Sequence, residues 1–230
     1  MKLYVSIGPN PKTVRMFMAE RGIDIPVQEV DTMKGESRQE AHLKRNPSGT
    51  LPTLELDDGT FLAEILPICE YLEEKYGPSS LIGTTPEERA EARMWTRRID
   101  LQIAEPSCNG MRYCEGLEYF KNRIRTIPHA AADLKQQAQD RITWLDGQMA
   151  GKQFVCGDRF TLADILLFAF LEFGTRFNQP LNPDNKNIVA WYKRVAARPS
   201  ASIQQFSPQL LSILDEKKTA SALRASSSAK

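Results

Sequence analysis

The chain has 230 residues, 41% of them hydrophobic, which suits one large or two small domains with a sizeable core. Lys plus Arg number 30 against 29 Asp plus Glu, so no net field draws the chain to nucleic acid or a membrane surface. Small molecules and further copies of itself are the expected partners.

In chain order, Lys2-Leu3-Tyr4-Val5 predicts a first strand that stops at Gly8-Pro9-Asn10-Pro11. Asn10 is a good N-cap and Pro11 suits the first helical position, so a helix is expected from there to about Gly22, with Val14, Phe17 and Met18 facing inward. Val27 to Val30 reads as a second strand and Glu36 to Lys44 as a polar helix. The run Asn46 to Tyr76 is the most informative in the chain. Leu51-Pro52 leads into the alternating Thr53-Leu54-Glu55-Leu56, Asp58-Gly59 is a hairpin signal before Thr60-Phe61-Leu62, and a helix follows with Ile68, Cys69, Leu72 and Tyr76 on one face. The order strand, helix, strand, helix, strand, strand, helix is thioredoxin-like, with Pro52 opening the third strand.

Gly77 to Gly83 has the composition of a linker. Thr85 and Glu88 form a capping box around Pro86, and from there the pattern is all-helical. Ala92, Trp95, Ile99 and Ile103 make one stripe, interrupted by Pro106 and Gly110; Leu134, Ala138, Ile142, Leu145 and Met149 make another. Thr161 and Asp164 can cap one another, with Phe160 and Ile165 as a hydrophobic staple. Ile188, Trp191, Tyr192 and Val195 form a last stripe before Pro199, and beyond Pro208 a short apolar turn (Leu210, Leu211, Leu214) precedes a Lys/Ala/Ser tail. The division expected is an α/β domain over 1–76, a linker over 77–85, an all-α domain over 86–207 and a partly disordered tail over 208–230. Cys69, Cys108, Cys114 and Cys156 form no Cys-x-x-Cys pair and no His stands at metal spacing, so reduced thiols and no metal site are expected. With neither a charged leader ahead of an apolar core nor an apolar run of membrane-spanning length, the expected location is cytoplasmic.

On the Asn46–Tyr76 run and the Gly157–Ile165 capping-box helix, the chain resembles the cytosolic glutathione S-transferases over about residues 1–206. The Lys-Gly-Glu after the second strand, the Asn-Pro-Ser-Gly-Thr-Leu-Pro loop and the Pro-x-Pro before Val14-Arg15 look most like an atypical subgroup from yeast and bacteria. The resemblance implies the glutathione transferase fold: a thioredoxin-like N-terminal domain that binds glutathione, then a helical-bundle C-terminal domain that binds an apolar electrophile. It implies glutathione as co-substrate, a homodimer, and attack of the glutathione thiolate on an electrophilic carbon. Rival readings are a glutathione-dependent isomerase or dehalogenase on the same scaffold, and a transferase-like regulator or chaperone that lost the chemistry.

A free thiol titrates near pH 8.5, so such an enzyme must stabilise the thiolate, and the N-terminus of the first helix is the obvious device. By the resemblance, Pro52 is cis and the backbone of Leu51 pairs with the cysteinyl part of glutathione, while Glu64 meets the γ-glutamyl part. Ile65 replaces the Ser that usually follows that acid, leaving backbone N–H groups to hold the glutamyl carboxylate. Lys34, His42 and Thr50 are candidates for the glycine carboxylate. Asn10 stands where a Ser or Cys often activates the thiol; its amide can donate to a thiolate but cannot exchange a proton, and capping the helix is its alternative role. In the subgroup a Ser, and a His four residues later on the fourth helix, hold a water against the sulfur. Alignment on Pro106 puts Cys108 and Arg112 there, with Tyr113 adjacent. Asn10, Arg112 and Tyr113 are therefore the catalytic candidates, and Cys108, Met111 and Tyr113 the electrophile-pocket candidates, with ordinary helix lining as the alternative for the fourth-helix group.

Overall fold

Residues 1–204 are described by a computed structural model, so the apolar turn at Leu210, Leu211 and Leu214 and the tail over 208–230 lie outside the described residues. Strand β1 (Lys2–Val5) lies between β2 (Val27–Glu29), parallel to it, and the antiparallel β3 (Thr53–Glu55), which pairs in turn with β4 (Phe61–Ala63). Leu3 and Leu54 face each other at the sheet centre and are fully buried. Helix α1 (Pro9–Arg21) and helix α3 (Ile65–Tyr76) supply Val14, Phe17, Ile68, Cys69 and Leu72 to the same core.

In this first part of the chain the structure departs from the expected pattern at three points. Helix α1 starts at Pro9, capped by Gly8 at φ 115°, so Asn10 is its second residue and makes no capping bond. Gly8 adopts a positive φ that a side chain would resist, and this lets Pro9 take the first-turn place where a missing N–H costs least. The expected helix over 36–44 is a 3-10 turn (Glu36–Arg38) and a single turn α2 (Glu40–Leu43), separated at Gln39 by extended backbone (ψ 153°). A short polar segment cannot hold a continuous helix without an apolar stripe to pack. Tyr76, placed inward by periodicity, is 45% exposed because the last turn of α3 runs past the core.

Among the described residues, the chain after residue 85 is helical, without a further strand of the sheet. Helix α4 (Pro86–Ile99) is capped by the Thr85 hydroxyl, which accepts from Glu88 N–H at 3.2 Å, while the Glu88 carboxylate turns back to Thr84 rather than Thr85. Pro106 does not break the chain's course as expected. A π-helical turn over Asp100–Ala104 precedes it, and α5 (Glu105–Arg112) continues without a loop. The wider turn accommodates a proline that lacks an N–H and crowds the carbonyl four residues back. Gly110 lies where α5 crosses α7 (Ala131–Gln148): a Cβ there would stand 2.5 Å from Lys135 Cγ and 3.1 Å from the Ala131 carbonyl. The short α6 (Leu117–Phe120) and the turn after it are tied to the first domain by Tyr119 Oη (2.6 Å) and Arg123 Nη1 (2.8 Å), both donating to the Thr32 carbonyl.

Helix α8 (Leu162–Thr175) is the centre of the second domain and packs on α1, α4 and α9 (Lys186–Ala196). The expected box at its start is present. Asp164, fully buried, accepts from Thr161 N–H (2.9 Å), Thr161 Oγ1 (3.1 Å), Val155 N–H (2.9 Å) and Trp191 Nε1 (2.8 Å). Between α1 and α8 the ammonium of Lys12 is 2% exposed, paired with Glu172 and donating to the Ala201 carbonyl at 2.9 Å. Burial pulls its pKa down against the partner carboxylate. Arg198 and Ser200 hold Glu20 on the same side of α1, so the two domains are joined behind the helix whose N-terminus opens on the cleft.

Candidate functional site

A cleft of about 480 Å³ lies between the two domains. One wall is the N-terminal end of α1, the loop into β3 and the start of α3: Asn10, Thr50, Leu51, Pro52, Glu64, Ile65, Leu66 and Pro67. The other is α4, the π turn, α5 and α8: Thr96, Arg97, Asp100, Glu105, Cys108, Arg112, Leu166 and Phe170.

Backbone donors on the first wall are few and well defined. In α1 Pro9 and Pro11 carry no N–H, so Asn10 alone offers a free first-turn amide, and its side chain bonds to no described residue. The sequence suggested a general helix-terminus site; two prolines reduce it to one residue that presents both a backbone and a side-chain donor. In α3 Pro67 is likewise silent, leaving the N–H groups of Ile65 and Leu66 at the cleft. Glu64, before them, holds φ 71° and ψ 141°. A non-glycine residue in that region costs on the order of 1–3 kcal/mol and persists where its surroundings hold it. The Leu51–Pro52 peptide is cis, and neither N–H nor C=O of Leu51 bonds to the described backbone.

On the second wall Arg112 Nη1 donates to Asn109 Oδ1 (2.8 Å) and lies 3.7 Å from the Glu105 carboxylate. Cys108, one turn earlier, has its thiol pushed up to about 11, first by burial and with Arg112 opposing, so it is protonated at neutral pH and serves as apolar lining. Burial also raises the Asp100 carboxyl against the pull of Arg97.

Of the residues singled out in the sequence, the structure brings Asn10, Thr50, Leu51, Pro52, Glu64, Ile65, Cys108 and Arg112 to one cleft. Lys34, His42, Met111 and Tyr113 stand outside its lining. Lys34 is exposed and paired with Asp31 at 3.3 Å. His42 is 2% exposed behind the β3 loop, its Nε2–H directed to the Thr50 carbonyl at 3.1 Å. Met111 is buried with Phe120, Phe173 and Phe177. Tyr113 is the C-cap residue of α5. Two further hydroxyls close to this end of the sheet, Tyr4 and Ser6, are already bonded: Tyr4 Oη donates to Glu55 (2.7 Å) and Ser6 Oγ pairs with Thr32 Oγ1 (2.8 Å).

Leu66, Pro67, Thr96, Arg97, Asp100, Glu105, Leu166 and Phe170 were not anticipated. Thr96 and Asp100 are one turn apart, as are Cys108 and Arg112, but the π turn adds a residue between the pairs and breaks the regular count. Among the described residues no group of three or more His, Cys, Asp or Glu side chains is placed to hold a metal ion, and no helix is long and apolar enough to cross a membrane.

The model of the glutathione S-transferase N-terminal domain matches residues 7–75, and that of the C-terminal domain matches residues 121–199. Glutathione S-transferase 2 of Saccharomyces cerevisiae is 32% identical over 200 residues, 84% of each chain. The crystal structure of Gtt2 from the same yeast superposes with a TM-score of 0.81 at 30% identity, covering 87% of this chain and 98% of that one. A maleylacetoacetate isomerase of Pseudomonas aeruginosa is 31% identical over 192 residues, 79% of this chain and 85% of its own. With two family domains matched in order, a yeast relative aligned along most of its length and a cleft at the junction of the two domains, the chain belongs to the glutathione S-transferase family.

Proposed function

We propose that the protein conjugates the thiolate of glutathione, the family's co-substrate, to small apolar electrophiles in the interdomain cleft. The observation that carries this reading is the convergence of unpaired backbone donors from Leu51, Ile65 and Leu66 with Asn10 on one wall, facing Arg112 and apolar side chains on the other. Leu51 would pair with the cysteinyl unit, and Ile65 and Leu66 N–H would hold the γ-glutamyl carboxylate at the dipole of α3, with Glu64 taking the glutamyl ammonium. Asn10 would then donate to the sulfur, and Arg112 would add positive charge from across the cleft. Leu166, Phe170 and Cys108 would receive the electrophile. Residues 1–76 serve as the glutathione-binding unit and 86–207 as the electrophile-binding unit, joined through 77–85, in a cytoplasmic protein.

Glutathione is expected to stabilise the fold by about 2.7 kcal/mol at a hundredfold excess over Kd, a rise in melting temperature of roughly 5–10 °C for a chain of this size. Glu64→Ala should cut that rise by at least about half. A thermal melt with and without millimolar glutathione, followed by an aromatic-chloride conjugation assay, is the test. No shift for the wild type would sink the binding claim, and a shift without turnover would favour a regulator that has lost the chemistry.

A second reading, a glutathione-dependent isomerase, is favoured by the likeness to the bacterial isomerase and by Arg97 and Arg112 at the cleft, which suit a substrate bearing carboxylates. Turnover of an unsaturated diacid without consumption of glutathione would select it.

The protein is further proposed to be a homodimer across α3 and α4. Met94, Leu101, Tyr76 and Trp144 are exposed apolar side chains on α3, α4, the π turn and α7, more than isolated surface residues require. Light scattering should return twice the chain mass of 26.0 kDa, and a monomer across micromolar concentrations would contradict it.

A further inference from the structure

Asn46 is 4% exposed, lies outside the cleft and is at the centre of a closed polar network in the loop before β3. Its Nδ2 donates to the Thr50 carbonyl (3.0 Å), Thr50 Oγ1 (3.0 Å) and Thr53 Oγ1 (3.3 Å), and its Oδ1 accepts from Ser48 N–H (3.2 Å) and Ser48 Oγ (2.7 Å). Its own backbone is fixed too, by Asn46 N–H to the His42 carbonyl and Gly49 N–H to the Asn46 carbonyl, both 2.9 Å. Gly49, at φ 63°, packs so closely that a Cβ would stand 2.9 Å from the Ser37 carbonyl, so the loop has little room to rearrange.

What this network grips is one peptide group. The Thr50 carbonyl accepts from Asn46 Nδ2 (3.0 Å) and His42 Nε2–H (3.1 Å), with Thr53 Oγ1 as a longer third donor (3.4 Å). The Thr50–Leu51 peptide is trans, so its C=O and N–H point in opposite directions in one plane. Holding the carbonyl against Asn46 and His42, behind the loop, therefore aims the Leu51 N–H away from them, on the side where Leu51 lines the cleft. Neither donor needs to touch a ligand to decide where that N–H points.

We infer that Asn46, assisted by His42, is a positioning residue for glutathione: it sets the plane of the Thr50–Leu51 peptide and so the aim of the Leu51 amide. The inference rests on reading the cleft as the glutathione site. It also gives His42 a role different from direct contact with the tripeptide, consistent with its burial.

The test is steady-state kinetics and isothermal titration with glutathione on the full-length wild type, Asn46→Asp, Asn46→Ala, His42→Phe and Ser48→Ala. Asp at position 46 keeps the acceptor for Ser48 and loses the donor to Thr50; Ser48→Ala loosens the same loop but leaves the Asn46 and His42 donors on the Thr50 carbonyl. Both Asn46 variants are expected to raise Kd and KM for glutathione about five- to tenfold, with His42→Phe in the same direction. kcat at saturating glutathione and KM for the electrophile should stay within about twofold. Ser48→Ala should lower the melting temperature while leaving glutathione affinity within about twofold. If Asn46 variants weaken glutathione no more than Ser48→Ala does, or lower kcat with KM unchanged, the inference is overturned while the site stands. If the wild type itself fails to bind glutathione, the reading of the cleft falls and the inference with it. His42→Phe carries the same comparison should the Asn46 variants not fold.

Discussion

Asn10→Ala is expected to lower kcat/KM for conjugation by about 10²–10³, the size of effect found when a donor facing developing charge is removed. Pro9 and Pro11 flank Asn10 with residues that have no N–H, so no neighbouring first-turn amide can replace it. Because the variant retains the Asn10 backbone N–H, some thiolate stabilisation survives. The apparent thiol pKa in the complex should move up toward the free value of about 8.5, which shifts the rising limb of the pH–rate profile to higher pH. Arg112→Ala should act in the same direction but less, since its guanidinium is already shared with Asn109 and Glu105, and Arg112→Lys should recover part of the loss. Tyr113→Phe should be close to silent, because that side chain is not at the cleft. The measurement is kcat/KM against pH for all four variants. A wild-type profile in both Asn10→Ala and Arg112→Ala would remove the two residues from the mechanism and leave the α1 amide alone to act on the sulfur.

Asp164→Ala is expected to cost about 3–5 kcal/mol of stability, or roughly 6–20 °C in melting temperature. The variant would strand the N–H groups of Val155, Thr161 and Trp191 in a site closed to water, each a penalty of about 1–3 kcal/mol before relaxation. Burial pushes the Asp164 carboxyl up to about 6, against the hydrogen bonds from Val155, Thr161 and Trp191, which favour the ionised form. The unfolded chain titrates this group near 3.9, so between about pH 4 and 6 the folded state binds a proton that the unfolded state has released. The contribution is therefore complete below about pH 4 and is lost as pH rises through 6. Asp164→Asn, which cannot titrate, should be destabilising throughout, but its deficit relative to wild type should shrink by up to about 3 kcal/mol from about pH 4 to pH 7. Urea unfolding of both proteins across that range checks the sign. A deficit that grew with pH would mean that the four donors outweigh burial and hold the carboxylate ionised.

Local sequence rules determined the elements wherever two kinds of signal agreed. Asp58-Gly59 between alternating strands placed the β3–β4 hairpin, and Thr161 with Asp164 ahead of an apolar run placed the start of α8, because turn and capping chemistry act within four residues and need no distant partner. Leu51, Pro52 and Glu64 were legible as site residues only through the family resemblance that their loop and helix start carry, and the structure brings all three to the cleft. Tertiary structure alone decided the rest. Whether Asn10 caps α1 or faces the cleft depended on Gly8 taking the cap, a choice set by a backbone angle that composition does not reveal. Whether Pro106 breaks a helix or is absorbed by a π turn depended on α7 and α8 packing against that segment, and the added residue then fixed which side chains of α5 reach the cleft. In sequence His42 and Lys34 stood alike as candidates for the glycine carboxylate, and only the fold, which buries His42 with Asn46 and turns both donors onto one carbonyl, separates it from the exposed Lys34. Spacing fixes which groups lie near one another along the chain, whereas burial and hydrogen-bond direction arise from contacts between elements far apart in it.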